Sequence, residues 1–187
     1  MPDHAVKNVD TTILELFAQG HHDRAFRVLV ETYSQRMYAH IRRMVLHHDD
    51  ANDVLQNTFV KVYRYMGQFK GEAKLYTWLY RIASNEAITF INARTARHHV
   101  SVEDQAASLS ARLQADDYFD GDELQERLKV AIALLPTKQQ LVFNMRYYDE
   151  MSYEDMAEAL ETSAGALRAS FHLAVKKVAR FLEQHTS

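Results

Sequence analysis

The chain has 187 residues, 47% of them hydrophobic, with 5 Gly, 2 Pro, no Cys and a net charge of −3. So few turn formers argue for helices over strands, the lack of Cys excludes disulfides and thiolate metal sites, and no apolar run approaches the roughly 20 residues that span a bilayer. The polar start MPDHAVKNVDTT does not read as a secretion signal, so a cytoplasmic protein without a membrane span is expected. The charge is unevenly spread: +3 over residues 1–100, −7 over 101–126 and +1 over 127–187. Mild overall acidity therefore leaves nucleic acid open as a partner, because local basic faces set phosphate affinity.

In chain order, residues 11–97 form a first helix-rich section. Ile13, Leu14, Leu16 and Phe17 open it, and Ala25, Phe26, Leu29, Val30 and Tyr33 follow at helical spacing. The break His47-His48-Asp49-Asp50 predicts a new helix capped by Asp49 or Asp50, carrying Val54, Leu55, Phe59, Val62 and Tyr63 and ending near Gly67. Phe69 to Ala73 reads as a loop, and a further helix is predicted over 74–97. Residues 98–122 are acidic and poor in large apolar side chains, which predicts a flexible linker with a short helix around 106–114. The last section, 123–183, is helical again. Leu124, Leu128, Ala131, Ile132 and Leu135 share a face, Pro136 stops that helix, and Thr137 with Gln140 predicts a capping box. Ser152 with Asp155 predicts a second capping box. The fold class expected is all-α: two small helical domains joined by an acidic linker.

Three stretches carry functional signals. SYEDMAEALETSAGALRASFHLAVKKVAR, residues 152–180, has the layout of a helix-turn-helix, with Met156, Ala157, Leu160, Leu167 and Phe171 inward and Thr162 or Ser163 capping the second helix. Arg168, Lys176, Lys177 and Arg180 lie on that helix with no acid among them, and Gly165, Ala166 and Ala169 permit close backbone approach to DNA. The bland reading is a solvated basic face on an ordinary helical hairpin. In residues 69–97, Lys70, Lys74, Arg81, Arg94 and Arg97 interleave with Tyr76, Trp78 and Tyr80, a pattern that suits single-stranded nucleic acid, although Trp78 is about as plausible a core residue. In residues 49–63, Asp49, Asp50, Asp53, Gln56, Asn57 and Lys61 make a polar helix face that suits a basic partner helix or, on physics alone, plain solvation. His pairs at 21–22, 47–48 and 98–99 lack the further ligands a metal site needs, and no nucleophile motif or phosphate-binding Gly loop is present, so neither an enzyme nor a cofactor is expected.

These residues resemble bacterial sigma factors of the extracytoplasmic-function type. Asp50, Asp53, Gln56 and Phe59 match the family's D-x-x-D-x-x-Q-x-x-F helix, Phe69 to Ala73 its F-[KR]-G-x-[AS] loop, and Thr77 to Asn85 its T-W-L-[YF]-R-I-A-x-N helix, all in region two; residues 135–178 resemble region four. The likeness leans towards the bacteroidete branch. It implies a protein that directs RNA polymerase to promoters and assists DNA opening, with region two at 11–97 and region four at 123–183. Asp49, Asp50, Asp53, Gln56, Asn57 and Phe59 would bind the clamp helices of the polymerase's largest subunit. Lys70, Gly71, Lys74, Leu75, Tyr76, Thr77, Trp78, Arg81 and Asn85 would read and melt the −10 element. Thr162, Ser163, Gly165, Ala166, Arg168, Ala169, Ser170, His172, Lys176 and Lys177 would meet the −35 element, with region four on the flap of the polymerase. An anti-sigma factor is a further implied partner. Ser170, Leu173 and Val175 stand where many relatives carry Arg, which implies weaker −35 binding on its own. A stand-alone helix-turn-helix regulator is the alternative.

Overall fold

The structure is a computed structural model. It describes residues 3–69, 71, 73–95, 108–111 and 122–184, with the backbone alone for 3–8 and 95. Among these residues there are helices and no strand. The first half holds α1 (Asp3–Ala18), α2 (His22–Val45), α3 (His48–Tyr65), a 3-10 turn at Met66–Gln68 and α4 (Leu75–Thr95). The second holds α5 (Glu123–Ala133), α6 (Thr137–Tyr147), α7 (Tyr153–Leu160) and α8 (Ala164–Gln184). Residues 108–111 are helical, inside the short helix expected in the linker.

Local chemistry sets the helix ends. Gly20, at φ +82°, makes the turn between α1 and α2 that a residue with a Cβ would resist. α2 carries Asp23 in its first turn and Arg42 and Arg43 in its last, so each charge opposes the helix dipole. It ends at Leu46 in the left-handed region, whose N–H donates to the Arg42 carbonyl. α3 begins at His48 with no side-chain cap, so Asp49 and Asp50 lie in its first turn, where they complement the dipole but do not cap. The predicted box at Thr137 is also corrected. Pro136 is the cap residue, and the Gln140 side chain turns away to reach the Arg43 and Met44 carbonyls at 3.4 and 3.3 Å. It satisfies the open end of α2 instead of its own helix, because buried helix-end carbonyls need a donor. Ser152 does cap α7, accepting from Asp155 N at 3.0 Å, and Ser163 caps α8 by accepting from Ala166 N at 3.2 Å.

The main core is built on Ile13, Leu29, Tyr33, Met37, Ile41, Val62, Leu79 and Tyr80. It continues without a break into Leu141, Val142, Met145, Met156 and Leu167 of the second half. A smaller cluster of Ile132, Leu135, Phe143, Ala174 and Val178 ties α5 and α6 to α8. Leu124, expected on the buried face of α5, is 64% exposed because it falls in the first turn, ahead of the packed stretch. The two halves are therefore apposed over apolar surface, the arrangement that removes most of it from water.

Candidate polymerase and nucleic-acid interfaces

Helical spacing on α3 puts Asp49, Asp53, Gln56, Asn57 and Val60 on one exposed stripe. Asp50 lies beside it, paired with Arg94 at 2.8 Å, and Phe59 turns inward to meet Phe26 edge-on with ring centroids 6.3 Å apart. The stripe has one feature the sequence reading passed over: Val60 is 53% exposed, an apolar spot inside the polar face. An acidic face around an exposed apolar residue suits a basic partner helix.

The residues expected at the −10 element divide. Lys70 lies outside the described residues. Gly71, at φ +73°, and Asn85 are exposed. Leu75 is buried, Tyr76 packs against the core, and Trp78 is half-buried against Phe69 at 5.2 Å. Lys74, Thr77 and Arg81 face α7. Lys74 Nζ reaches Asp155 at 2.6 Å, and Lys74 N donates to Glu158 Oε1 at 2.9 Å. Thr77 Oγ1 lies 2.9 Å from the same Glu158 oxygen and 2.8 Å from the Lys74 carbonyl, with one proton to give. Arg81 donates to the Glu158 and Ala159 carbonyls at 2.5 and 3.2 Å and pairs with Glu161 at 2.9 Å. Glu161, at φ 52°, is the left-handed cap of α7, which leaves those carbonyls at an open helix end for a guanidinium to fill. Burial pushes the Asp155 carboxyl up, but hydrogen bonds from Lys74, Tyr76 and Ser152 outweigh it and hold it below the usual carboxylate range.

A second set of contacts joins the halves deeper in. Asp149, 4% exposed, accepts from Arg43 Nη2 and meets His40 Nδ1 at 2.8 Å. A carboxylate only accepts, so Nδ1 carries a proton, while Nε2 meets Ser84 Oγ at 3.0 Å. Nothing in one sequence marks a pairing between residues 106 positions apart, and these partners were not anticipated.

The helix-turn-helix forms as expected around Glu161 to Ser163. Met156, Ala159 and Leu167 are buried, and Ala157, Leu160 and Phe171 pack partly buried against the same core. Thr162, Ser163, Gly165, Ala166, Arg168, Ala169, His172, Lys176 and Lys177 are exposed, and Ser170 is half-buried at their edge. Arg168 leans on α7: its Nη2 lies 3.2 Å from Glu154, and its guanidinium sits 5.0 Å from the Tyr153 ring. Lys177 Nζ donates to Gln139 at 2.9 Å. With both ion-pair partners largely exposed, the Arg168–Glu154 pair holds only weakly and can yield to phosphate. Leu173 and Val175 stay exposed on the same helix.

Among the described residues, no group of three or more His, Cys, Asp or Glu could hold a metal ion, and no helix is long and apolar enough to cross a membrane. Comparison with known proteins matches Sigma-70 region 2 at residues 29–97 and Sigma-70 region 4 at residues 125–178. The chain is 31% identical over 168 residues to the ECF RNA polymerase sigma-E factor of Haemophilus influenzae, covering 86% of this chain and 88% of the relative. It is 29% identical over 193 residues to the RNA polymerase sigma-H factor of Pseudomonas aeruginosa, covering 93% and 94%. Among solved structures, CnrH in complex with the cytosolic domain of CnrY superposes with a TM-score of 0.71 at 22% identity, covering 95% of this chain and 99% of that one. The sigma factor RpoE bound to the anti-sigma factor NepR, from Bartonella quintana, gives 0.64 at 20% identity, covering 84% and 96%. These findings do not speak for the bacteroidete branch. With both regions matched in order and the fold shared, the chain belongs to the extracytoplasmic-function family of RNA polymerase sigma factors.

Proposed function

We propose that this sigma factor binds core RNA polymerase through the exposed α3 stripe, reads the −35 element with the start of α8, and opens the −10 element with the loop and helix at 70–85. The observation that carries the reading is the pairing, in one chain and in family order, of an acidic α3 stripe with a basic recognition helix. The division of labour follows domain bounds of 11–97, 98–122 and 123–183. The protein works in the cytoplasm, carries out no reaction of its own and uses no cofactor. Binding to polymerase tethers two weak DNA contacts and makes them one bivalent grip. In the free chain, Lys74, Thr77 and Arg81 are held by α7, so −10 reading requires the halves to part. Glu158, Asp155 and Glu161 thus stand where DNA phosphates would stand. A partner of anti-sigma type would act by holding the halves together, and the second of the two structural neighbours is a sigma factor seen with such a partner.

The reading is tested by incubating the protein with bacterial core polymerase and sheared genomic DNA and sequencing the RNA 5′ ends. New starts at a fixed distance from a shared two-part motif are expected. Absence of new starts and of co-elution with polymerase would leave a stand-alone regulator as the better account.

A further inference from the structure

Ala166, Ala169, Leu173, Lys176 and Arg180 follow one another on α8 at spacings of three and four residues, so they form one stripe along the helix. All five are exposed, while Leu167, Ala174 and Val178, on the far side, are buried. Leu173 is 50% exposed and is the largest apolar side chain of the stripe. Ahead of Lys176 the stripe carries alkyl groups and no hydrogen-bonding side chain. Beside it, a Cβ on Gly165 would meet nothing within 4 Å, so the start of the helix is open to close approach. Cations surround this apolar centre: Arg168 and Lys177 to its sides, Lys176 and Arg180 beyond Leu173. α8 carries no acid before Glu183. Positive charge around an apolar centre complements the major groove of a duplex, where phosphates form the walls and base edges the floor.

We propose that Leu173, with Ala169 one turn before it, reads the −35 element through the C5-methyl groups of thymines, so that the element holds A·T pairs at the positions these side chains meet. This rests on the reading above, in which α8 enters the −35 duplex. Thymine alone presents a methyl group in the major groove; the other base edges present donors and acceptors. An apolar side chain pressed on those edges strips their water and returns no hydrogen bond, which is costly. Leu173 therefore selects thymine twice, by contact with its methyl and by the penalty on every other base. Ala169 and Leu173 lie about 6 Å apart along the helix axis, from a rise of about 1.5 Å per residue. That span is close to two base-pair steps of about 3.4 Å, so the two side chains meet different pairs. Lys176, Lys177 and Arg180 hold phosphates and fix the register, which leaves sequence reading to the apolar part of the stripe.

The test uses the full chain assembled with bacterial core polymerase, initiating on promoters whose −35 thymines are replaced one at a time by deoxyuridine, which lacks only the C5-methyl group. Initiation should fall about fourfold at one or two of these positions, the effect of leaving one methyl-sized group unburied. Leu173→Ala changes an exposed position of a helix and should keep the fold. It should be indifferent to deoxyuridine at the position Leu173 reads. Equal losses in both proteins would overturn the proposal, because the methyl group would then act without Leu173. So would a −35 element without A·T pairs. Initiation unmoved by deoxyuridine at every thymine, yet abolished by a scrambled −35 element, would also overturn it and leave α8 reading DNA by other contacts. A scrambled element that changes nothing would take α8 off the −35 DNA, and this assignment would fall with it. Weaker co-elution of Leu173→Ala with core polymerase, at wild-type sensitivity to deoxyuridine, would give the side chain to a protein partner instead.

Discussion

The cationic faces of α4 and α8 are built alike and used differently. Arg81 and Lys74 on and before α4 are engaged by Asp155, Glu158, Glu161 and the end carbonyls of α7. Arg168 on α8 has an exposed ion-pair partner in Glu154 besides the Tyr153 ring, Lys177 reaches only the neutral Gln139, and the small residues around Arg168 are open to solvent. One of the two faces proposed to contact DNA is covered by the other half of the protein, and the other is open to solvent. Covering takes geometry as well as charge: α7 ends in a left-handed cap at Glu161 whose end carbonyls receive Arg81, while Asp155 and Glu158 reach Lys74. On the proposed roles, the chain exposes the helix assigned to the −35 duplex while withholding the surface assigned to −10 opening.

The strongest way to break this contrast is Asp149→Ala. It strips Arg43 and His40 of a buried carboxylate, and loss of one member of a buried ion pair costs about 3–5 kcal/mol. A fall of that size in denaturant stability is expected; an unchanged midpoint would mean that the buried cluster does not hold the halves together. Asp53→Arg tests the open side of the molecule. It reverses charge at the centre of the α3 stripe and should abolish co-elution with core polymerase at unchanged helix content, whereas retained co-elution would remove the stripe from the interface. Arg168→Ala should weaken −35-dependent initiation by about 1–3 kcal/mol if the guanidinium leaves Glu154 for a base. The same dependence on the −35 sequence in both proteins would show that Arg168 does not read it.

Glu158→Ala sharpens the comparison more gently. It removes the acceptor shared by Lys74 N and Thr77 Oγ1, worth about 1 kcal/mol for each hydrogen bond. Faster association with core polymerase is expected, and a slower rate would argue that α7 assists recruitment. The smallest effect concerns pH. Asp155 is held below its usual range in the folded state, so its contribution is present above the unfolded carboxylate value and lost as pH falls through the folded one. Because Lys74 is 58% exposed, the effect is modest. Resonances of Lys74 should stay constant down to about pH 4 and shift only below it. A transition near neutrality would assign the latch to another group.

The helix content, the helix-turn-helix and the exposed faces of α3 and α8 were legible because they depend on residues three or four apart. Capping was legible at Ser152 and Ser163, where the cap partner lies three residues on, and not at Thr137, where Gln140 was drawn off by the end of α2. Tertiary demand overrode a local pattern there. Leu124 failed for the opposite reason: the periodicity was real, but the first turn of α5 projects beyond its packing partners. What no local pattern carries is the seam between the halves. Asp149, Glu158 and Glu161 look like ordinary solvated acids in sequence, and their partners lie about 80 to 110 residues away.

The most direct test of the central claim is a distance measurement between spin labels at Gln68 and Glu183, exposed positions on the two halves. The free protein should give one short, narrow distribution, and core polymerase should replace it with a longer one as α4 separates from α7. The same distribution with and without polymerase would contradict the account, because Lys74, Thr77 and Arg81 would then remain covered in the complex that is meant to open DNA.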